Sequence, residues 1–133
     1  MYQDVLIPTD GHENTEQAID EAIELAAEMD ARLHALYVIN SAALAPGITF
    51  ADLETIGQQA VEYVRDRALE AGVERVEECV THGLRGESIL RYAADHDVDL
   101  IVMGRHRELD HLVRGSVSKQ VSEEATAKVL VVD

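Results

Sequence analysis

Five short apolar runs, separated by segments with helical periodicity, constrain this chain more than any other feature. The runs fall at residues 4–9 (DVLIPT), 32–39 (RLHALYVI), 76–81, 98–103 and 128–132. Between them, apolar residues recur at 3–4 spacing. Ile19, Ala22, Ile23, Ala26 and Met29 give one stripe; Leu53, Ile56, Ala60, Val61, Val64 and Ala68 give a second. Ile89, Leu90, Ala93 and Ala94 give a third, and Val117, Val121 and Ala125 a fourth. Short apolar runs bounded by turn residues read as buried strands, and the stripes as amphipathic helices. Asn14 with Gln17 predicts a capping box for the first helix, and Gly72 a stop for the second. Strands alternating with helices predict an α/β fold, a parallel sheet covered on both faces through right-handed crossovers.

At 133 residues the chain reads as one domain, residues 1–133, without linker, repeat or low-complexity segment. Acids outnumber bases 26 to 11, for a formal net charge of −15, and Lys119 and Lys128 are its two lysines. That balance argues against nucleic acid and anionic membrane as partners. It suits an acidic, halophilic protein, because at molar salt the Debye length is about 3 Å and self-repulsion is screened. No apolar stretch approaches the ~20 residues a membrane helix needs. The opening MYQDVLIPTDG carries no basic leader. A cytoplasmic location is the expectation. Cys79 stands alone, so an intramolecular disulfide is impossible, and a buried structural thiol is expected.

In open α/β sheets, ligands bind beyond the carboxyl ends of strands, where strand order reverses. Two segments qualify. Pro8 and Thr9 close the first run and Asp10 follows it; Asp10 is placed to accept from ribose hydroxyls, to hold a cation, or only to cap the next turn. The fourth run ends at Met103-Gly104 and opens a loop holding Arg105, His106, Arg107, His111 and Arg114, before Gly115-Ser116-Val117 start the last helix. A helix start exposes backbone N–H groups whose dipole favours phosphate. Three arginines in an acidic chain point to an anionic small ligand, with an ordinary Ser cap as the bland alternative. His12, His34, His82 and His96 form no helical pair, and His106 and His111 lack an acidic or Cys partner set, so no metal held by protein ligands is expected. The last run, KVLVV at 128–132, ends the sheet with an apolar edge, and pairing with a second copy would cover it.

With these residues in hand, the chain resembles the universal stress protein family over nearly its full length. The resemblance lies in VLIPTDG, HALYVI, GESILRYAADHDVDLIVMG and GSVSKQVSEEATAKVLVV. It implies a Rossmann-like (adenine nucleotide alpha hydrolase-like) five-stranded parallel sheet of order 3-2-1-4-5, and homodimers through the last strand, Lys128–Val132. In one subgroup it implies ATP binding. Carried across, Asp10 would touch ribose and the backbone near Val38 would meet adenine. Met103 and Gly104 would line ribose and phosphates, and Gly115, Ser116 and Val117 would cradle phosphates. Mg²⁺ or Mn²⁺ would come with the phosphate oxygens.

The subgroup's pattern is Gly, two residues, Gly, nine residues, then Gly-Ser or Gly-Thr. Here Arg107 stands where the second Gly belongs, and ten residues separate Gly104 from Gly115, two fewer than that pattern. The missing pair removes roughly 7 Å of extended reach. Arg107 at a positive-φ position would cost on the order of 1 kcal/mol. Either Arg105, Arg107 and Arg114 supply charged donors in place of backbone amides, or the site takes a shorter ligand such as a monophosphate, or none. The reading is an adenine-nucleotide (ATP or AMP) binding module in stress response, without efficient catalysis. The alternative is a relative that has lost nucleotide binding and works through dimerisation or partner contacts. A slow phosphohydrolase using Asp10 and His106 has less support, since no other base is positioned.

Overall fold

A computed structural model describes residues 1–10, 15–40, 45–104 and 117–132. Along the chain come β1 (Asp4–Pro8), α1 (Glu16–Met29), β2 (Arg32–Ile39), α2 (Phe50–Glu70) and β3 (Val76–His82). Then follow α3 (Arg85–Asp95), β4 (Leu100–Gly104), α4 (Val117–Glu124) and β5 (Lys128–Val132). The strands form one sheet of order β3-β2-β1-β4-β5, and every pairing is parallel.

Alternation along the strands sorts side chains between two cores. Val5, Ile7, Leu33, Ala35 and Val102 pack on the α1 and α2 face, against Ile19, Ala22, Val61 and Val64. Leu6, Leu36, Val38, Ile101 and Met103 pack on the opposite face, against Ile89, Tyr92 and Ala93 of α3 and Val121 of α4. β1 and β4 are apolar on both sides because helices cover both.

The β1–β2 ladder runs the full length of β1, from Asp4↔Arg32 to Pro8↔Leu36. The β1–β4 ladder consists of Val5↔Leu100 and Leu6↔Ile101. Pro8 has no N–H to extend a ladder. The strand pair at which chain order reverses is thus stitched at its amino end, and its carboxyl end leads into the candidate site.

Helix ends follow local chemistry. α2 has a capping box: the Thr49 N–H donates to Asp52 Oδ2 at 2.9 Å and the Asp52 N–H donates to Thr49 Oγ1 at 3.1 Å. Its far end turns at Gly72, φ +98°. α1 starts at Glu16 with Thr15 as N-cap, so the expected Asn14 cap is displaced by one residue. Arg67 of α2 reaches Glu16 and Asp20 of α1, tying the two helices together.

Some expected core positions are corrected. Ile56 is 43% exposed, and Gly57 takes its place in the stripe. A Cβ at Gly57 would lie 2.7 Å from Tyr37 Cδ1 and 3.1 Å from Val80 Cγ1, so α2 approaches the sheet backbone-first there and turns Ile56 outward. In α3 Ala94 faces solvent and Tyr92 takes the inward place. Leu53, Leu90, Val117 and Ala125 are half-buried, as is Cys79, whose thiol burial pushes upward in pKa. β4 starts at Leu100, because Val98 closes the turn after α3 through its N–H to the Ala93 carbonyl.

His34, a weak signal in the sequence, is 1% exposed beneath α3. Its Nε2 meets Asp4 Oδ1 at 2.9 Å and its Nδ1 meets the Tyr92 hydroxyl at 2.7 Å. Tyr92 stacks on His96 at 3.8 Å between ring centroids. Burial lowers the His34 pKa below 6.5, against the pull of Asp4; His96 and Arg32 push the same way as burial.

Two outcomes follow from this packing. The unfolded chain takes up a proton at His34 near pH 6.5 while the folded chain resists it. Stability present above that pH therefore falls as pH drops through the folded value. The melting temperature should decline between about pH 7 and pH 5.5, and His34→Gln, which keeps an amide for both partners but does not titrate, should flatten that slope. Gly57→Ala should lose about 1–2 kcal/mol in chemical denaturation, because the clash with Tyr37 outweighs the ~1 kcal/mol gain in helix propensity.

Candidate functional site

The carboxyl ends of β1, β2 and β4 meet on one side of the sheet. β1 delivers Pro8, Thr9 and Asp10. The Thr9 N–H donates to the Leu36 carbonyl at 2.8 Å, which keeps the chain against β2 past the end of the strand. The Thr9 side chain is buried, its hydroxyl 3.4 Å from that of Thr15. The Thr15 hydroxyl donates to Asp10 Oδ1 at 3.3 Å. The start of α1 thus orients the half-buried Asp10 carboxylate.

Val38 and Met103 are both buried and belong to one apolar cluster, with half-buried Val117 packed against it. Val38 pairs with Thr81 of β3, and Gly104 pairs with Val132 at the end of β4. Of the expected site residues, Pro8, Thr9, Asp10, Val38, Met103, Gly104 and Val117 therefore flank the strand-order reversal. Arg105, His106, Arg107, Arg114, Gly115 and Ser116 lie outside the described residues. Among the described residues, no group of three or more His, Cys, Asp and Glu is placed to hold a metal ion.

Two further residues join Asp10. Tyr37, on β2, and Arg85, the first residue of α3, lie within electrostatic reach of it and of each other. Burial lowers the Arg85 pKa; the Asp10 carboxylate and Tyr37 oppose that shift. Burial raises the Tyr37 pKa, with Arg85 opposing and Asp10 assisting. The turn carrying Arg85 is held over β2: Gly83, φ +139°, donates its N–H to the Ile39 carbonyl at 2.9 Å. A side chain at Gly83 would be strained by that φ. Applied to β1 and β4 alone, the strand-end rule does not reach Arg85. The same rule applied to HGLRG after β3 selects it.

Around the strand ends stand the buried apolar Val38 and Met103, a carboxylate oriented by Thr15 and a guanidinium from the turn after β3.

The model of the universal stress protein family matches residues 1–133. Universal stress protein MJ0531 of Methanocaldococcus jannaschii is 32% identical over 141 aligned residues, spanning 99% of this chain and 82% of that protein. A solved structure of the hypothetical protein MJ0577 superposes with a TM-score of 0.84 at 27% identity, covering 99% of this chain and 96% of the other. A universal stress protein solved in complex with cAMP superposes at 0.81 and 24% identity, covering 99% and 97%.

Proposed function

The chain belongs to the universal stress protein family, and from that premise we propose that it is a cytoplasmic adenine-nucleotide-binding module of the stress response, holding ATP or AMP without efficient turnover. The observation that carries this reading is the Asp10 carboxylate, oriented by Thr15 just past β1, with the buried Val38 and Met103 near the carboxyl ends of the neighbouring β2 and β4. Asp10 takes the ribose hydroxyls, and the Val38 backbone meets the base. Met103 and Gly104 line the passage toward the phosphates. The arginines after Gly104 and the N–H groups of Gly115, Ser116 and Val117 receive the phosphate oxygens, which bring Mg²⁺ or Mn²⁺ with them. The complex with cAMP belongs to a protein of the same fold at 24% identity and stands as precedent for that fold only.

A second element of the reading is a homodimer through Lys128–Val132. β5 pairs with β4 on one side, and Leu130 on it is 36% exposed. An apolar outer edge of this kind is covered by antiparallel pairing with a second copy.

Millimolar ATP, ADP or AMP should raise the melting temperature, by the equivalent of about 2.7 kcal/mol at a hundredfold excess over Kd, and Asp10→Ala should remove most of the shift. No shift with any of the three refutes the nucleotide reading. In sedimentation the chain should run as a dimer and Leu130→Lys as a monomer; a monomeric parent protein refutes the edge pairing.

A further inference from the structure

Two arginines stand side by side at the amino end of the sheet. Arg32 opens β2, and Arg75 directly precedes β3. Leu33 pairs with Val76, and the Leu33 N–H donates to the Arg75 carbonyl at 2.9 Å, which sets the two residues in register. Both line a cavity of about 610 Å³ whose other walls come from the segment leading into β1 and from the α1–β2 turn. That volume falls in the range of small-ligand sites. The cavity lies at the end of the sheet opposite Asp10 and Gly104.

We propose that this cavity is a second ligand site, taking a small phosphate monoester with an apolar or aromatic remainder. The inference stands independently of the nucleotide reading above.

The reason lies in charge pairing. On α2, Arg65 and Arg67 each meet two carboxylates. Arg32 is half-buried and Arg75 exposed, and among the described residues neither forms an ion pair with a carboxylate. Two carboxylate residues line the cavity. Asp4 Oδ1 is engaged by His34 Nε2 at 2.9 Å, and Asp30 offers its backbone carbonyl, which accepts from Arg75 Nη2 at 3.0 Å. That bond steadies one edge of the Arg75 fork; a guanidinium has five N–H donors, and the others face no carboxylate. Neighbouring guanidiniums repel, and a bound anion relieves the repulsion. A phosphate monoester carries a charge of about −1.5 to −2 at pH 7 and three acceptor oxygens, enough for two forks, whereas one carboxylate satisfies one. Tyr2 and Met29 are half-buried against the α1 and α2 core and line the same cavity, where they receive the remainder of the ester.

Isothermal titration calorimetry of the intact chain with phenyl phosphate, inorganic phosphate and benzoate, at one fixed salt concentration, tests this. Phenyl phosphate should bind about tenfold tighter than benzoate, and Arg75→Gln should weaken it about tenfold. Arg75→Lys should keep part of the affinity, because the charge remains and the fork is lost. Tyr2→Ala should weaken phenyl phosphate and leave inorganic phosphate unchanged. No binding of phenyl phosphate at millimolar concentration overturns the inference, as does equal affinity for benzoate, whether or not the variants fold. Binding that survives Arg75→Gln undiminished also overturns it, because the phosphate then sits elsewhere on the chain.

Discussion

The short ladder between β1 and β4 governs this molecule. Parallel pairing forbids a tight turn between neighbours, so each strand must return through a helix. The chain steps outward from β1 to β2 and β3, then crosses to β4 and β5 on the other side. The reversal falls at the one pairing in which two fully buried strands meet through only Val5↔Leu100 and Leu6↔Ile101. Among the described residues, the candidate site residues sit at the ends of that pair or near the carboxyl end of the neighbouring β2. The helices gain their stability by covering the sheet, since the buried stripe of α2 holds little beyond Gly57, Ala60, Val61, Val64 and Ala68.

Much of this was legible from residue order alone. Short apolar runs and period-3.6 stripes located the strands and helices of the described residues to within a few residues, because burial on both faces leaves the central β1 and β4 almost uniformly apolar. Contacts that depend on distant parts of the chain were not legible. The stripe of α2 runs through Gly57 instead of Ile56 because Tyr37 and Val80 crowd it, and no local pattern contains that fact. His34 looked like an isolated histidine; its partners, Asp4 and Tyr92, lie 30 and 58 residues away. For the candidate site, the strand-end rule selected Pro8, Thr9, Asp10 and Gly104, and the family resemblance added Val38 and Met103. It missed Tyr37 and Arg85, whose proximity to Asp10 arises only once β2 and β3 stack beside β1.

Charge placement separates the two flanks of β1. The sequence concentrates arginines after β4, whereas the described structure adds a guanidinium from the turn after β3. That guanidinium is half-buried and within electrostatic reach of Asp10. Arg65 and Arg67, half-buried on α2, each meet two carboxylates: Asp66 and Glu78 for Arg65, Glu16 and Asp20 for Arg67.

β1 is five residues long, roughly 17 Å from end to end. At its first residue, Asp4 is committed to the histidine beneath α3; two residues beyond its last, Asp10 accepts from the Thr15 hydroxyl at the start of α1. One carboxylate serves cohesion and, in the proposed function, the other serves recognition, with a dry rod of Val5, Leu6 and Ile7 insulating them. Acidity that loosens the one end therefore need not disturb the other, and under that proposal a lineage can retune what it recognises without renegotiating how it folds.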